Sequence, residues 1–208
     1  MSLWIKICGL TRSDAVAAAL GARVDAIGFV FTSSPRWQTP AAAAALALPA
    51  RGRTCRVAVA RRPSQKLIDD IVSMFDPDAL QADVEDLARL RLPRELARLP
   101  VLRSGHALPE PLPTRVLYEG AVSGAGLVCD WQAAQSVAAR TELVLAGGLD
   151  ARNVADAIRS VHPFGVDVSS GVESQPGIKS PAMIEEFVAR ARGAFEETKL
   201  YETSGRSP

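Results

Sequence analysis

Trp4-Ile5-Lys6-Ile7-Cys8-Gly9 and Ala26-Ile27-Gly28-Phe29-Val30-Phe31 flank an alanine-rich segment, residues 13–20. The flanks are short and nearly all apolar, the pattern of strands buried on both faces. The segment between them reads as a helix, with Thr11 or Ser13 available as its cap and Gly21 as its stop. Strand, helix and strand in that order point to parallel pairing.

The alternation continues outward from this unit. Residues 40–48 read as a helix, with Thr39 as N-cap and Pro40 at the first helical position. Residues 55–60, 79–81, 101–103, 116–118, 143–146 and 165–168 read as further strands. Residues 64–75, 84–99 (apart from Pro93), 131–140, 151–161 and 181–192 read as helices. Eight strand candidates, nearly all followed by a helix, predict a single α/β (β/α)₈ TIM barrel over residues 1–192. A doubly wound open sheet is the structural rival. Pro109, Pro111 and Pro113 crowd the segment where a fifth helix belongs, so that helix is expected to be short or missing. Residues 193–208 lose periodicity and read as a flexible tail.

Composition supports a packed core. The chain has 208 residues, 48% of them hydrophobic and 23% charged. With 24 basic and 23 acidic residues the net charge is +1, which favours neither nucleic acid nor a membrane surface as partner. Three widely spaced cysteines, Cys8, Cys55 and Cys129, do not suit a disulfide framework or a zinc site. No segment has the apolar length of a membrane span, and residues 1–6 lack a signal-peptide core; a cytoplasmic protein is expected.

In such a barrel, function sits where strands end. Cys8 ends the first strand; it is either a small buried apolar residue or a base whose ionisation a neighbour such as Lys6 assists. Arg36, in the loop after the second strand, is either a solvated arginine or a fork for a carboxylate. Asp130 is a helix cap, a general acid, or both. Gly147-Gly148 and Ser169-Ser170-Gly171 follow the last two strands, where barrels bind phosphate through backbone N–H groups. His106 and His162 do not look catalytic, and no residue cluster has metal-ligand spacing.

Lys6 to Thr11, Asp25 to Phe31, Ser34 to Arg36, Leu145 to Leu149, Val166 to Glu173 and Pro176 to Lys179 together resemble the phosphoribosylanthranilate isomerase family. The resemblance spans residue 3 to about residue 192. It implies an aldose–ketose isomerase of tryptophan biosynthesis that acts on a small phosphorylated substrate, without cofactor or metal, as monomer or homodimer. Residue by residue it implies Cys8 as general base and Asp130 as general acid. Arg36 would grip the anthranilate carboxylate, and Asp167 would lie near the ribose hydroxyls. Gly147, Gly148, Ser170 and Gly171 would contact phosphate. The sequence departs from the family in its middle. Gln81-Ala82-Asp83-Val84 stands for the usual Gln-Leu-His-Gly, and Tyr118-Glu119 for Leu-Asp. Leu127 replaces a lysine, and Ala60-Arg61 stands where an asparagine is common. These departures predict an altered substrate grip. The rival readings are a related phosphosugar aminoaldose isomerase, against which Cys8 speaks, and a non-catalytic barrel that binds a phosphate ligand.

Overall fold

Eight parallel strands, hydrogen-bonded in chain order, close on themselves in the computed structural model, which describes residues 2–120 and 129–204. They are β1 (Trp4–Cys8), β2 (Ala26–Val30), β3 (Cys55–Val59), β4 (Ala79–Asp83), β5 (Ala97–Arg103), β6 (Arg115–Glu119), β7 (Glu142–Leu145) and β8 (Gly165–Val168). Closure comes from β1, which pairs with β2 through Cys8 and Gly28 and with β8 through Lys6 and Asp167. The predicted TIM barrel is therefore the observed fold. Its helices are α1 (Ser13–Gly21), α2 (Pro40–Ala47), α3 (Gln65–Met74), α4 (Val84–Arg89), α5 (Trp131–Ala138), α6 (Val154–Val161) and α7 (Pro181–Ser204). A short antiparallel ribbon, β9 (Glu173–Gln175) and β10 (Ile178–Lys179), stands on the loop after β8.

Side-chain alternation sorts each strand between two environments. Ile5 and Ile7 of β1 join the large apolar layer between strands and helices, as do Val116 and Tyr118 of β6. The alternate residues face inward. Inside, Leu99, Val101, Leu117, Val144 and Ala146 form one small apolar cluster, and Ala26, Val57 and Ala79 another. Trp4 packs against both clusters. The helices present matching stripes: α6 buries Val154, Ala157, Ile158 and Val161, the i, i+3, i+4, i+7 spacing of one face.

Capping follows the sequence in three places. Thr39 accepts the Ala42 N–H at 3.1 Å, Ser64 that of Leu67 at 3.2 Å, and Asp130 that of Ala133 at 3.0 Å. The first helix differs from expectation. Its N-cap position falls on Arg12, which makes no side-chain cap bond. Thr11 instead donates its hydroxyl proton to the Gly177 carbonyl at 2.7 Å, and the Asp14 carboxylate takes the Ala15 N–H at 2.8 Å.

Two boundaries correct the sequence reading. The helix expected over residues 84–99 stops at Arg89, because Ala97 to Leu99 already belong to β5 and pair with Ala79 to Gln81. The leucine spacing there imitates a helix, but Pro93 and Pro100 remove the backbone donors it needs. The last helix runs to Ser204 rather than Arg192. Gly193 does not end it: Ala191 and Ala194 are buried on either side, and the Thr198 hydroxyl donates back to the Ala194 carbonyl at 2.9 Å. No helix lies between β5 and β6, as the three prolines predict; Leu108 and Leu112 of that connection pack on the core in its place. Among the described residues no helix is long and apolar enough to cross a membrane.

Candidate active site

Lys6 and Cys8 follow Trp4 as inward residues of β1, and Lys6 is too polar to be there for packing alone. Lys6 is fully buried, and its Nζ lies 2.8 Å from Oδ1 of Asp167, its register partner on β8. Gly28, the register partner of Cys8 on β2, leaves them their space. A Cβ there would sit 3.0 Å from the Cys8 sulfur and 3.2 Å from the Lys6 nitrogen. Burial opposes the charge on Lys6, but Asp167 first and then Cys8 outweigh it, and its pKa is raised. Burial likewise pushes the Cys8 thiol up from its ordinary value, against the opposing pull of Lys6 and, more weakly, Lys179.

The Lys6–Asp167 pair yields a stability prediction. Removing one partner of a buried pair strands the other charge, at a typical cost of about 3–5 kcal/mol. Lys6→Met is expected to destabilise by that order in urea denaturation, and adding Asp167→Asn should restore part of the loss. A single variant as stable as the parent would show that the pair does not hold the barrel seam.

Above this pair opens a cavity of about 350 Å³ at the carboxyl ends of the strands. Cys8, Arg36 and Asp167 all line it, so three of the predicted residues converge. Arg36 reaches its rim from the loop after β2, its side chain lying over Gly9. Its Nε and Nη2 donate to the two carboxylate oxygens of Glu173 at 2.7 and 2.8 Å. Its Nη1 has no partner among the described residues. Lys179, its ammonium fully enclosed, donates to the same Glu173 carboxylate at 2.6 Å and to the Ser169 hydroxyl at 3.1 Å. Ser169 in turn donates to the Cys8 carbonyl at 3.1 Å. Burial would raise the Glu173 pKa, but hydrogen bonds from Arg36 and Lys179 prevail and hold its carboxyl below the usual range. Burial lowers the Lys179 pKa in spite of that partner.

The opposite wall carries several of the sequence departures, among them Arg61, Asp83 and Glu119. Arg103, at the end of β5, donates to Asp83 at 2.5 Å and also to Glu119, which ends β6. Arg61 adds a contact to Asp83 at 3.6 Å. Three of the altered positions, Arg61, Asp83 and Glu119, therefore join Arg103 in one ionic network at the ends of β4, β5 and β6. Sequence reasoning missed Arg103 and Lys179. Their only signal is a cation placed inside a buried strand or beside a ligand loop, and its partners are distant in sequence.

The remaining predicted residues lie elsewhere. Gly147, Gly148, Ser170 and Gly171 are on the loops after β7 and β8 and are not among the cavity-lining residues. The two loops are joined by a bridge between Asp150 and Gly171. Only glycine fits at 171, where a Cβ would lie 1.9 Å from the Leu149 carbonyl oxygen. Asn153 braces the first loop, donating to the Gly148 carbonyl at 2.8 Å and accepting the Asp150 N–H at 2.9 Å. Asp130 is exposed, caps α5, and does not line the cavity. Residues 121–128 before it, including Leu127, are outside the described residues.

Residues 5–190 match the family model described as N-(5'-phosphoribosyl)anthranilate (PRA) isomerase. An enzyme of that name from Mesorhizobium japonicum is 37% identical, over 95% of this chain and 99% of its own. Another, from a Bradyrhizobium strain, is 36% identical, over 94% and 98%. The TrpF crystal structure from Jonesia denitrificans superposes with a TM-score of 0.78 at 34% identity, covering 93% of this chain and 98% of that one. A phosphoribosyl anthranilate isomerase structure in complex with reduced 1-(o-carboxyphenylamino)-1-deoxyribulose 5-phosphate superposes with a TM-score of 0.77 at 28% identity, covering 92% and 99%.

Proposed function

We infer the role of each site residue from one premise: the chain belongs to the N-(5'-phosphoribosyl)anthranilate isomerase family. Its reaction is the Amadori rearrangement of N-(5-phosphoribosyl)anthranilate to 1-(2-carboxyphenylamino)-1-deoxyribulose 5-phosphate, a step of tryptophan biosynthesis. The chemistry needs an acid, a base and two anchors. Protonation of the furanose ring oxygen breaks its bond to C1, and the nitrogen lone pair closes to an iminium. A base then removes the C2 proton, and the C–H electron pair forms the C1–C2 double bond of an enolamine. Tautomerisation gives the C2 ketone.

Cys8 is the base in this reading, and the observation that carries it is a thiol on the cavity wall beside a buried ammonium. Asp130, the N-cap of α5, is the acid in the same reading. The backbone N–H groups of Gly147, Gly148, Ser170 and Gly171 hold the phosphate. Asp167, already on the cavity wall, meets the ribose hydroxyls. Arg36 takes the anthranilate carboxylate. Its Nε edge is committed to Glu173, so the substrate meets the other edge of the guanidinium, which still offers two parallel N–H donors.

Loss of substrate fluorescence with purified protein, and growth of a tryptophan auxotroph lacking this step, test the activity. Arg36→Ala is expected to raise KM about 10–100-fold, the worth of charge-assisted hydrogen bonds, with kcat changed far less. An unchanged KM would remove Arg36 from the carboxylate.

A further inference from the structure

One polar group on the cavity wall has no task in the chemistry above. Gln81 is paired in register with Val59 of β3 and Leu99 of β5, and its side chain lines the same cavity as Cys8. It is 7% exposed, and its Oε1 is buried with no hydrogen-bond partner among the described residues. Buried carbonyl oxygens are seldom left this way, because the group loses its water without replacement. The neighbours do not compete for it: Arg103 and Arg61, the nearby cations of this wall, are engaged with Asp83. Gln81 lines the ligand cavity, so a turn of its amide brings this unpartnered acceptor to a donor on a bound ligand.

We propose that Gln81 is a substrate-binding residue whose amide oxygen accepts the hydrogen bond of the substrate's secondary amine. This rests on the isomerase reading. The phosphate end lies toward β7 and β8, the carboxylate end lies at Arg36 after β2, and Cys8 on β1 sits between them at C2. The amine is the polar donor on the carboxylate side of C2, toward the wall formed by β3 and β4. The bond also does more than position. When the ring opens, the amine becomes an iminium and its N–H becomes a far stronger donor. The contact therefore tightens on the way to the transition state, which raises kcat rather than lowering KM.

The test compares Gln81→Met and Gln81→Glu with the parent protein, reading kcat, KM, thermal midpoint and the inhibition constant of ribose 5-phosphate. Gln81→Met is expected to lower kcat about 10–100-fold with KM within about threefold, since a hydrogen bond to a charged group is lost. Its midpoint should not fall, because an unpartnered amide has been removed. Gln81→Glu keeps the acceptor and should retain more activity than Gln81→Met. Ribose 5-phosphate, which has no amine, should bind all three equally. Parent-like kcat in Gln81→Met would overturn the proposal, and so would weakened ribose 5-phosphate binding, which would give the amide to a sugar hydroxyl. A parent protein that leaves substrate fluorescence unchanged would instead sink the isomerase reading.

Discussion

Cys8→Ala should lower kcat by about 10²–10⁴-fold, the usual worth of a positioned general base, while the barrel stays folded. The change removes one sulfur from a site that Gly28 already keeps open, so no packing rearrangement is needed. The pH dependence gives an independent check. The base must be the thiolate, and burial raises the thiol above its ordinary value of 9.0. At neutral pH only a small share of molecules carries the thiolate, so kcat/KM should climb with pH through and beyond that value. Lys6 and Lys179 limit the rise in the thiol pKa, because an ammonium nearby favours the charged sulfur. A flat profile from neutral pH to 9, or parent-like turnover in Cys8→Ala, would assign proton removal to another group.

Asp130→Asn is the second large effect, and here the substitution separates two roles. The Asp130 side chain caps α5 by accepting the Ala133 N–H. Asparagine caps a helix as well as aspartate does, but it carries no ionisable proton. The variant should therefore keep the thermal midpoint of the parent and lose about 10²–10⁴-fold in kcat. Asp130→Ala should lose activity and, in addition, about 1 kcal/mol of stability with the cap. If Asp130→Asn turns over within a few-fold of the parent, the residue is only a cap. Glu119, already on the cavity wall, would then be the carboxyl group to test as acid.

The barrel was legible because its strands are apolar on both faces and its turns are punctuated by glycine and proline. The first strand and the last had correct ends, since Cys8 and Val168 are each followed by a change to polar or flexible residues. The start of β5 was missed, though not its end at Arg103, because a leucine every three or four residues looks the same whether it serves a helix or the approach to a strand. The strand won through its ladder with β4, a long-range term that local pattern does not contain. The end of α7 was misjudged for a similar reason: burial of Ala191 and Ala194 against the rest of the fold carries the helix through Gly193.

The site was legible to the extent that single side chains announce chemistry. Cys8, Arg36 and Asp167 stand at strand ends or in the loop after one, and the fold gathers them. What could not be read was pairing. Lys6 and Asp167 are 161 residues apart, and Arg36 and Glu173 are 137 apart. Nothing local marks Arg103 as the centre of a network, or Gln81 as an amide whose buried oxygen has no partner among the described residues.

Those long separations bear on how the enzyme comes into being. Chain emerging from a ribosome presents Lys6 and Cys8 long before the carboxylate that neutralises Lys6, which lies 161 residues further on. Glu173 and Lys179, which orient Arg36, come later still. A nascent or truncated barrel is thus left with an unneutralised ammonium at its seam, and catalytic competence arrives with the final strand rather than accumulating along the way.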